Sequence, residues 1–263
     1  MDTSKASACS YPLRQHDLNY ALRVIADAGF KKVDLLGAMP HFSINEAEYR
    51  IGYLIETADK YGVKIANLGT YCGGNFSSKS EAERKAELEA TKKTIDIAHR
   101  LNARSIRVRA GNNKRKVLDM IVPYFQECAE YAESKNVYMG VENHGGEISG
   151  VPELCAELSE KVGSKHFGVL YDPCNLVSAG VDYKEGVKVF SNYITHVHLK
   201  NGTRQKRKFQ ETMLGDGDID IQWVVGNLNT IGYNGDFALE YEVDHIEIVE
   251  TGLQKWLEYF KNL

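Results

Sequence analysis

Short apolar runs recur along the chain at near-regular intervals: "SACSY", "KKVDLLG", "VKIANLG", "RSIRVRA", "VYMGVEN", "FGVLYDP", "ITHVHLK" and "DFALEYE". Each is strand-length and bounded by polar or glycine-rich residues, which predicts eight β-strands. The stretches between them follow a helical period instead. "DLNYALRVIADAG" closes on a glycine, and "SEAERKAELEATKKTIDIAHRLN" places apolar residues at three- and four-residue spacing. "KVLDMIVPYFQECAEYAESKN" reads as another helix, in which Pro123 predicts a kink or a late start. No Pro/Ser-rich linker or low-complexity tract interrupts the alternation. Eight strand–helix units in 263 residues fit a closed (β/α)8 TIM barrel, one α/β domain over 1–263, better than an open doubly wound sheet. No GxGxxG follows the first strand and no GxxxxGK[ST] occurs, so the usual nucleotide-binding alternatives drop out.

Chemistry on such a barrel sits at the C-terminal strand ends. Strand five ends in Glu142, strand six in Asp172, strand seven in His198 and strand eight in Glu240. Side chains alternate with period two, so Tyr138, Gly140 and Glu142 share a face, as do Leu170 and Asp172, His196, His198 and Lys200, and Ala238, Glu240 and Glu242. Taken singly, each has an ordinary reading: Asp172 before Pro173 as a turn initiator, a strand histidine such as His196 as a core residue. Four of inward parity on consecutive strands are another matter. Three converging carboxylates repel one another unless a cation sits among them. Three oxygen donors and one imidazole suit Mn2+, Mg2+ or Co2+ better than a thiolate-rich structural zinc.

Composition narrows the field without changing this picture. Hydrophobic residues at 43 % and charged residues at 26 % leave ample core. A net charge of -4 and a pI near 6.1 give no footprint for nucleic acid. No apolar run is long enough to span a membrane, and "MDTSKASACSYPL" lacks a secretory apolar segment. Cys9, Cys72, Cys128, Cys155 and Cys174 are odd in number and never in CxxC spacing, as expected of reduced thiols in a cytoplasmic protein. The basic runs "NKRK" (113–116) and "KRK" (206–208) read as solvated surface, and Trp223 and Trp256 as core.

"GVENH", "VLYDPCN", "HVHLKNGTR", "LGDGDIDIQW" and "IGYNGDFALEYE" resemble successive strand-end motifs of the xylose isomerase-like TIM barrels, the sugar phosphate isomerase/epimerase group. The resemblance implies one divalent ion, Mn2+ first with Mg2+, Co2+ or Zn2+ as alternatives, held by Glu142, Asp172, His198 and Glu240. It implies that the two glutamates also form the proton-transfer pair. It also implies that Arg204, six residues after the metal histidine, touches the substrate. Departures are informative. Asp172-Pro-Cys-Asn175 replaces the Asp-x-x-His of many epimerases and of endonuclease IV, which leaves Asn175 as a substrate contact and argues against DNA repair. Where ketose epimerases carry a substrate-contacting glutamate the chain has Ile148, beside Glu147.

The expected chemistry is proton abstraction next to a carbonyl, through a metal-stabilised enediolate, with Glu142 or Glu240 as base. Return of the proton gives a sugar epimerase or isomerase. Expulsion of a group β to the carbonyl gives a lyase or dehydratase acting on keto-sugars or keto-glycosides. A non-catalytic carbohydrate-binding barrel is the third class, and four intact ligands argue against it. His144, Lys200 and Arg204 are candidates to protonate a leaving group or anchor hydroxyls, against solvated loop charge for the last two. Arg109, which shares a face with Ser105 and Arg107, is a candidate for an anionic substrate group, against a salt bridge within the barrel. "LGDGDID" is a turn and helix cap, through Asp218 or Asp220, or else a backbone anion site. The expected partner is a small carbohydrate, with no nucleic acid and no membrane; a homo-oligomer or a partner subunit is left open.

Overall fold

The computed structural model describes residues 1–206 and 208–263; Arg207, in the basic run 206–208, lies outside the described residues. Eight parallel strands close into a barrel: β1 (Ala6–Cys9), β2 (Lys32–Leu36), β3 (Lys64–Gly69), β4 (Ser105–Val108), β5 (Tyr138–Glu142), β6 (Phe167–Tyr171), β7 (Ile194–Leu199) and β10 (Phe237–Leu239). The last strand pairs with both β7 and β1, which shuts the ring. This is the predicted (β/α)8 barrel. One element is additional. The run after β7 forms an antiparallel hairpin, β8 (Asn201–Gln205) and β9 (Lys208–Thr212), that stands over the C-terminal end of the barrel wall.

Nine α-helices of the described residues surround the strands: α1 (Leu18–Asp27), α2 (Ile51–Tyr61), α3 (Glu81–Arg100), α4 (Leu118–Ser134), α5 (Pro152–Val162), α6 (Pro173–Ala179), α7 (Tyr183–Phe190), α8 (Ile221–Thr230) and α9 (Val249–Lys261). Their starts are written locally. Asp17 accepts from the Tyr20 N–H ahead of α1, Ser80 from Glu83 ahead of α3, and Asp220 from Trp223 ahead of α8. Asp220 is thus the cap in "LGDGDID", while Asp218 accepts from the Arg204 N–H of the hairpin. Pro123 neither delays nor starts α4, which begins at Leu118 and runs through it. Trp256 is buried against Tyr241, but Trp223 is only half-buried, edge-on to Tyr183, and is not core.

Two glycines narrow the wall where the site is built. A side chain at Gly168 would collide with the Tyr193 carbonyl, and one at Gly140 would come within 2.6 Å of Thr195 Oγ1. Their absence of a side chain lets β5, β6 and β7 pack closely just below three of the predicted ligands.

Candidate metal centre

Glu142, Asp172, His198 and Glu240 converge at the C-terminal mouth. Asp172, His198 and Glu240 are buried, Glu142 is half-buried, and one donor atom from each lies within 4.8 Å of the others. The parity reading of all four strands holds.

The local chain explains how each donor is aimed. Asp172 is the cap of α6: its Oδ1 accepts from the N–H groups of Cys174 (2.7 Å) and Asn175 (3.0 Å). That leaves Oδ2 buried without a hydrogen-bond partner. The buried Asn143 amide bonds the same residue's backbone twice, donating to the Asp172 carbonyl and accepting from its N–H, each at 2.7 Å. His198 gives Nε2 to Asp34 Oδ2 at 3.0 Å. Its Nδ1 stands 3.3 Å from Glu240 Oε2 and 3.6 Å from Glu142 Oε1, yet forms no hydrogen bond. Asp172 Oδ2 has only the Lys200 ammonium at 3.3 Å and His198 Nδ1 only carboxylates beyond hydrogen-bond geometry, and buried polar atoms so poorly satisfied are costly unless something else binds them. A divalent cation fits this donor set, whose oxygen-rich make-up suits a hard or borderline ion.

Cations of the protein hold the remaining carboxylate oxygens. Arg107 Nη1 reaches Glu142 Oε2 at 2.8 Å, and Asn175 Nδ2 donates to Glu142 Oε1 at 3.2 Å. Lys200 is buried, not a solvated loop charge; its Nζ lies 2.7 Å from Glu240, 2.8 Å from Glu242 and 3.3 Å from Asp172. Burial pushes the Glu142 carboxyl up, but His198 and the Arg107 guanidinium outweigh it and bring it to about 2. Glu240 is likewise lowered, with Lys200 and His198 overcoming its burial. Asp172 goes the other way: burial outweighs the attraction of Lys200 and lifts it to about 6. His198 is raised well above the usual imidazole range, its burial overcome chiefly by Glu240.

Asp34, on β2, is the site residue that the strand-end reading missed. It is buried, and its Oδ2 also binds His196 Nε2 at 2.7 Å. Asn67 donates to both its oxygens, at 2.9 and 3.0 Å, and accepts in turn from Ser105 Oγ at 2.7 Å. The signal was present: a lone carboxylate of inward parity in "KKVDLLG". Cys9, Asp34 and His198 form a second group of donor type, but the Cys9 thiol is pushed far up by burial and His198 Nε2 is already committed to Asp34. His196 sits one layer deeper, as read from the sequence.

Above the centre opens a cavity of about 410 Å³, lined among others by Tyr11, Tyr71, Arg109, Asn113, His144 and Glu242. His144 lies past the end of β5, exposed on the cavity rim, with Nδ1 accepting from the Gly145 N–H at 2.8 Å. Arg109 is also exposed on the rim; the barrel salt bridge falls to Arg107 instead. Asn175 and Lys200 touch the carboxylates directly. Arg204 does not line this cavity: its guanidinium bonds the carbonyls of Val177 and Ser178 at the end of α6.

The family model described as xylose isomerase-like TIM barrel matches residues 22–263. The chain belongs to this family. In the xylose isomerase-like barrels its curated relatives include an uncharacterized protein, MJ1311, of Methanocaldococcus jannaschii, 25 % identical over 85 % of this chain and 78 % of that one. An inosose dehydratase of Geobacillus thermodenitrificans is 30 % identical over 48 % of this chain and 47 % of its own length. Among solved structures, a D-tagatose 3-epimerase-like protein superposes with a TM-score of 0.74 at 24 % identity, over 97 % of this chain and 99 % of that one. Within the xylose isomerase-like pattern, the position of the ketose-epimerase glutamate is occupied by Ile148, fully buried in the core. Its neighbour Glu147 turns to Lys114 Nζ and the Arg115 N–H.

Proposed function

We propose that this barrel is a divalent-metal-dependent sugar isomerase or epimerase that removes a proton next to a substrate carbonyl. Glu142, Asp172, His198 and Glu240 would hold the ion. The single observation that carries the reading is their convergence, with two buried donor atoms, Asp172 Oδ2 and His198 Nδ1, that make no hydrogen bond. The ion when bound supplies Lewis acidity to the carbonyl and its neighbouring hydroxyl, with Mn2+ the first choice.

The chain's own residues supply the rest. Glu142 and Glu240 are held ionised at neutral pH, the state a general base needs. They come from β5 and from the end of β10, and so approach a bound substrate from different sides of the site. One takes the proton and becomes the carboxylic acid, which hands the same proton to the next carbon in an isomerisation; delivery to the opposite face requires that the other glutamate has first taken a proton from solvent. Asp172 is fixed by its helix cap and serves as a holder. Asp34 fixes the His198 ring through Nε2, so that Nδ1 is the free donor. Lys200 orients Glu240, and Arg107 and Asn175 orient Glu142.

A second reading has a specific observation behind it. With Ile148 in the core and Glu147 turned away, the mouth lacks the epimerase glutamate, and one relative is an inosose dehydratase. In that case the proton is not returned; a hydroxyl or glycosidic oxygen β to the carbonyl departs, protonated by His144 or Lys200.

The test is incubation of the Mn2+-loaded protein in D2O with ketoses, keto-polyols and keto-glycosides. Solvent deuterium in recovered sugar or its epimer supports the first reading. Loss of water or aglycone supports the second. Full activity after exhaustive chelation overturns both.

A further inference from the structure

The cationic groups of the mouth are not alike. Arg107 has its Nε on the Thr70 carbonyl (3.2 Å), Nη2 on the Gly69 carbonyl (3.2 Å) and Nη1 on Glu142, and its guanidinium plane covers the Tyr71 ring. Lys200 is surrounded by three carboxylates. Neither has charge to spare for a ligand. Arg109 differs: among the described residues its side chain makes no ion pair or hydrogen bond, and only its backbone is engaged, the N–H on the Cys72 carbonyl at 2.8 Å and the carbonyl by the Gly111 N–H at 2.9 Å. A guanidinium lining the cavity above a metal centre, with no carboxylate of the protein to answer it, is a ready partner for an anion.

Depth and direction support this. Ser105, Arg107 and Arg109 share parity along β4 and its extension, with Ser105 on Asn67 at the bottom and Arg107 on Glu142. Two residues of strand advance ~6.6 Å, so Arg109 stands one layer above the carboxylates. That is where the far end of a short sugar chain lies when its carbonyl is at the centre. His144 adds a second donor. Its Nδ1 accepts the Gly145 N–H, so the neutral ring carries its proton on Nε2. The rim segment bearing it is held rigid by Asn113, whose amide donates to Gly145 O and Ser149 Oγ and accepts from the N–H groups of Ile148 and Ser149.

We infer that the substrate carries a negative group, a phosphate or a carboxylate, at the end of its chain remote from the carbonyl, bound by Arg109 with the His144 Nε2–H. This rests on the proposed reaction for the placement of the carbonyl. The anion subsite itself is tested by binding alone.

Calorimetric titration of the Mn2+-loaded protein with D-fructose, its 6-phosphate and its 6-carboxylate analogue separates the possibilities. We expect at least one anionic sugar to bind at least about tenfold more tightly than the neutral one, and Arg109→Gln to remove most of that preference, with Arg109→Lys restoring part of it. Whether phosphate or carboxylate is favoured names the source of the charge. Equal binding of neutral and anionic sugars, no binding of either anion, or a preference that survives in Arg109→Gln overturns the inference. Deuterium exchange run on the same samples judges the reaction independently: Arg109-dependent binding without exchange would leave the subsite standing and sink the proposed activity.

Discussion

The two ends of the barrel use charged residues in opposite ways. At the N-terminal end an open cavity of about 490 Å³ is lined by Lys32, Lys64, Arg104, Lys135 and Asp236, among others. Lys32 pairs with Asp236 at 2.5 Å and Lys135 with Asp96 at 3.1 Å, Arg104 donates to Asn234 with its plane over Tyr138, and Lys64 is exposed to water. Arg104 Nε is the one buried exception there. At the mouth the carboxylates are grouped, and two buried atoms without hydrogen bonds, Asp172 Oδ2 and His198 Nδ1, belong to the same four-residue cluster. Partnered charge at the surface is ordinary solvation and contributes little to stability. Buried polar atoms left open together mark a place kept for something else.

This contrast can be broken at several points. The largest effect is expected from the proton-transfer pair. Glu142→Gln or Glu240→Gln keeps the shape and one oxygen donor but removes the basic site, and should lower C–H exchange by about 10²- to 10⁴-fold. Near-normal exchange in a variant that still holds Mn2+ would reduce that glutamate to a ligand. Asp34→Asn should weaken Mn2+ binding by about 10- to 100-fold, read by electron paramagnetic resonance of free Mn2+, because the His198 ring loses its carboxylate anchor. An unchanged affinity would make the Asp34–His198 contact incidental.

Acidity should then sharpen the picture. In the metal-free centre burial raises Asp172 to about 6, and His198 is raised well above the ordinary imidazole range, chiefly by Glu240. Both groups hold protons that an incoming cation must displace. Mn2+ affinity should therefore rise with pH through 6, with protons released to the buffer, as calorimetry in buffers of different ionisation enthalpy would detect. A flat profile would mean that the cation does not use these two donors. Smallest is the change at the other end: Lys32→Ala should cost less than about 1 kcal/mol of stability, measured by denaturant unfolding, and leave exchange untouched.

How far the sequence alone could carry this depends on the range over which each feature is decided. Strands and their facing are local, so the alternation in "VYMGVE" and "THVHLK" was enough to aim Glu142 and His198 at the mouth. Asp34 was equally inward by parity, but its meaning lies in His198, 164 positions along the chain, and appears only when β10 closes the ring beside β1. For Lys200 the sequence left a site contact and a solvated loop charge both open, because it follows the last residue of β7. Its buried place among Glu240, Glu242 and Asp172 joins segments 28 to 42 positions away in the chain, which no local pattern could show. Arg204 rides on that hairpin, and so meets the end of α6. Arg107 and Arg109 could not be told apart by parity; only the register of β4 against β5, with Arg107 opposite Gly140, gives the pairing to the first.

The doubly bonded Asn143 amide carries one more implication. By taking both the N–H and the carbonyl of Asp172, it acts as an extra rung of the β5–β6 ladder beyond the last strand residues. The gap between Glu142 and Asp172 is therefore gauged by the Asn143 amide on the Asp172 main chain, independently of any ion. A rigid gauge rewards ions of one size and penalises the next size up, even when the donor chemistry is the same. With the proposed ion in place, choice among divalent ions would be a matter of calibre, set by a residue outside the four proposed ligands.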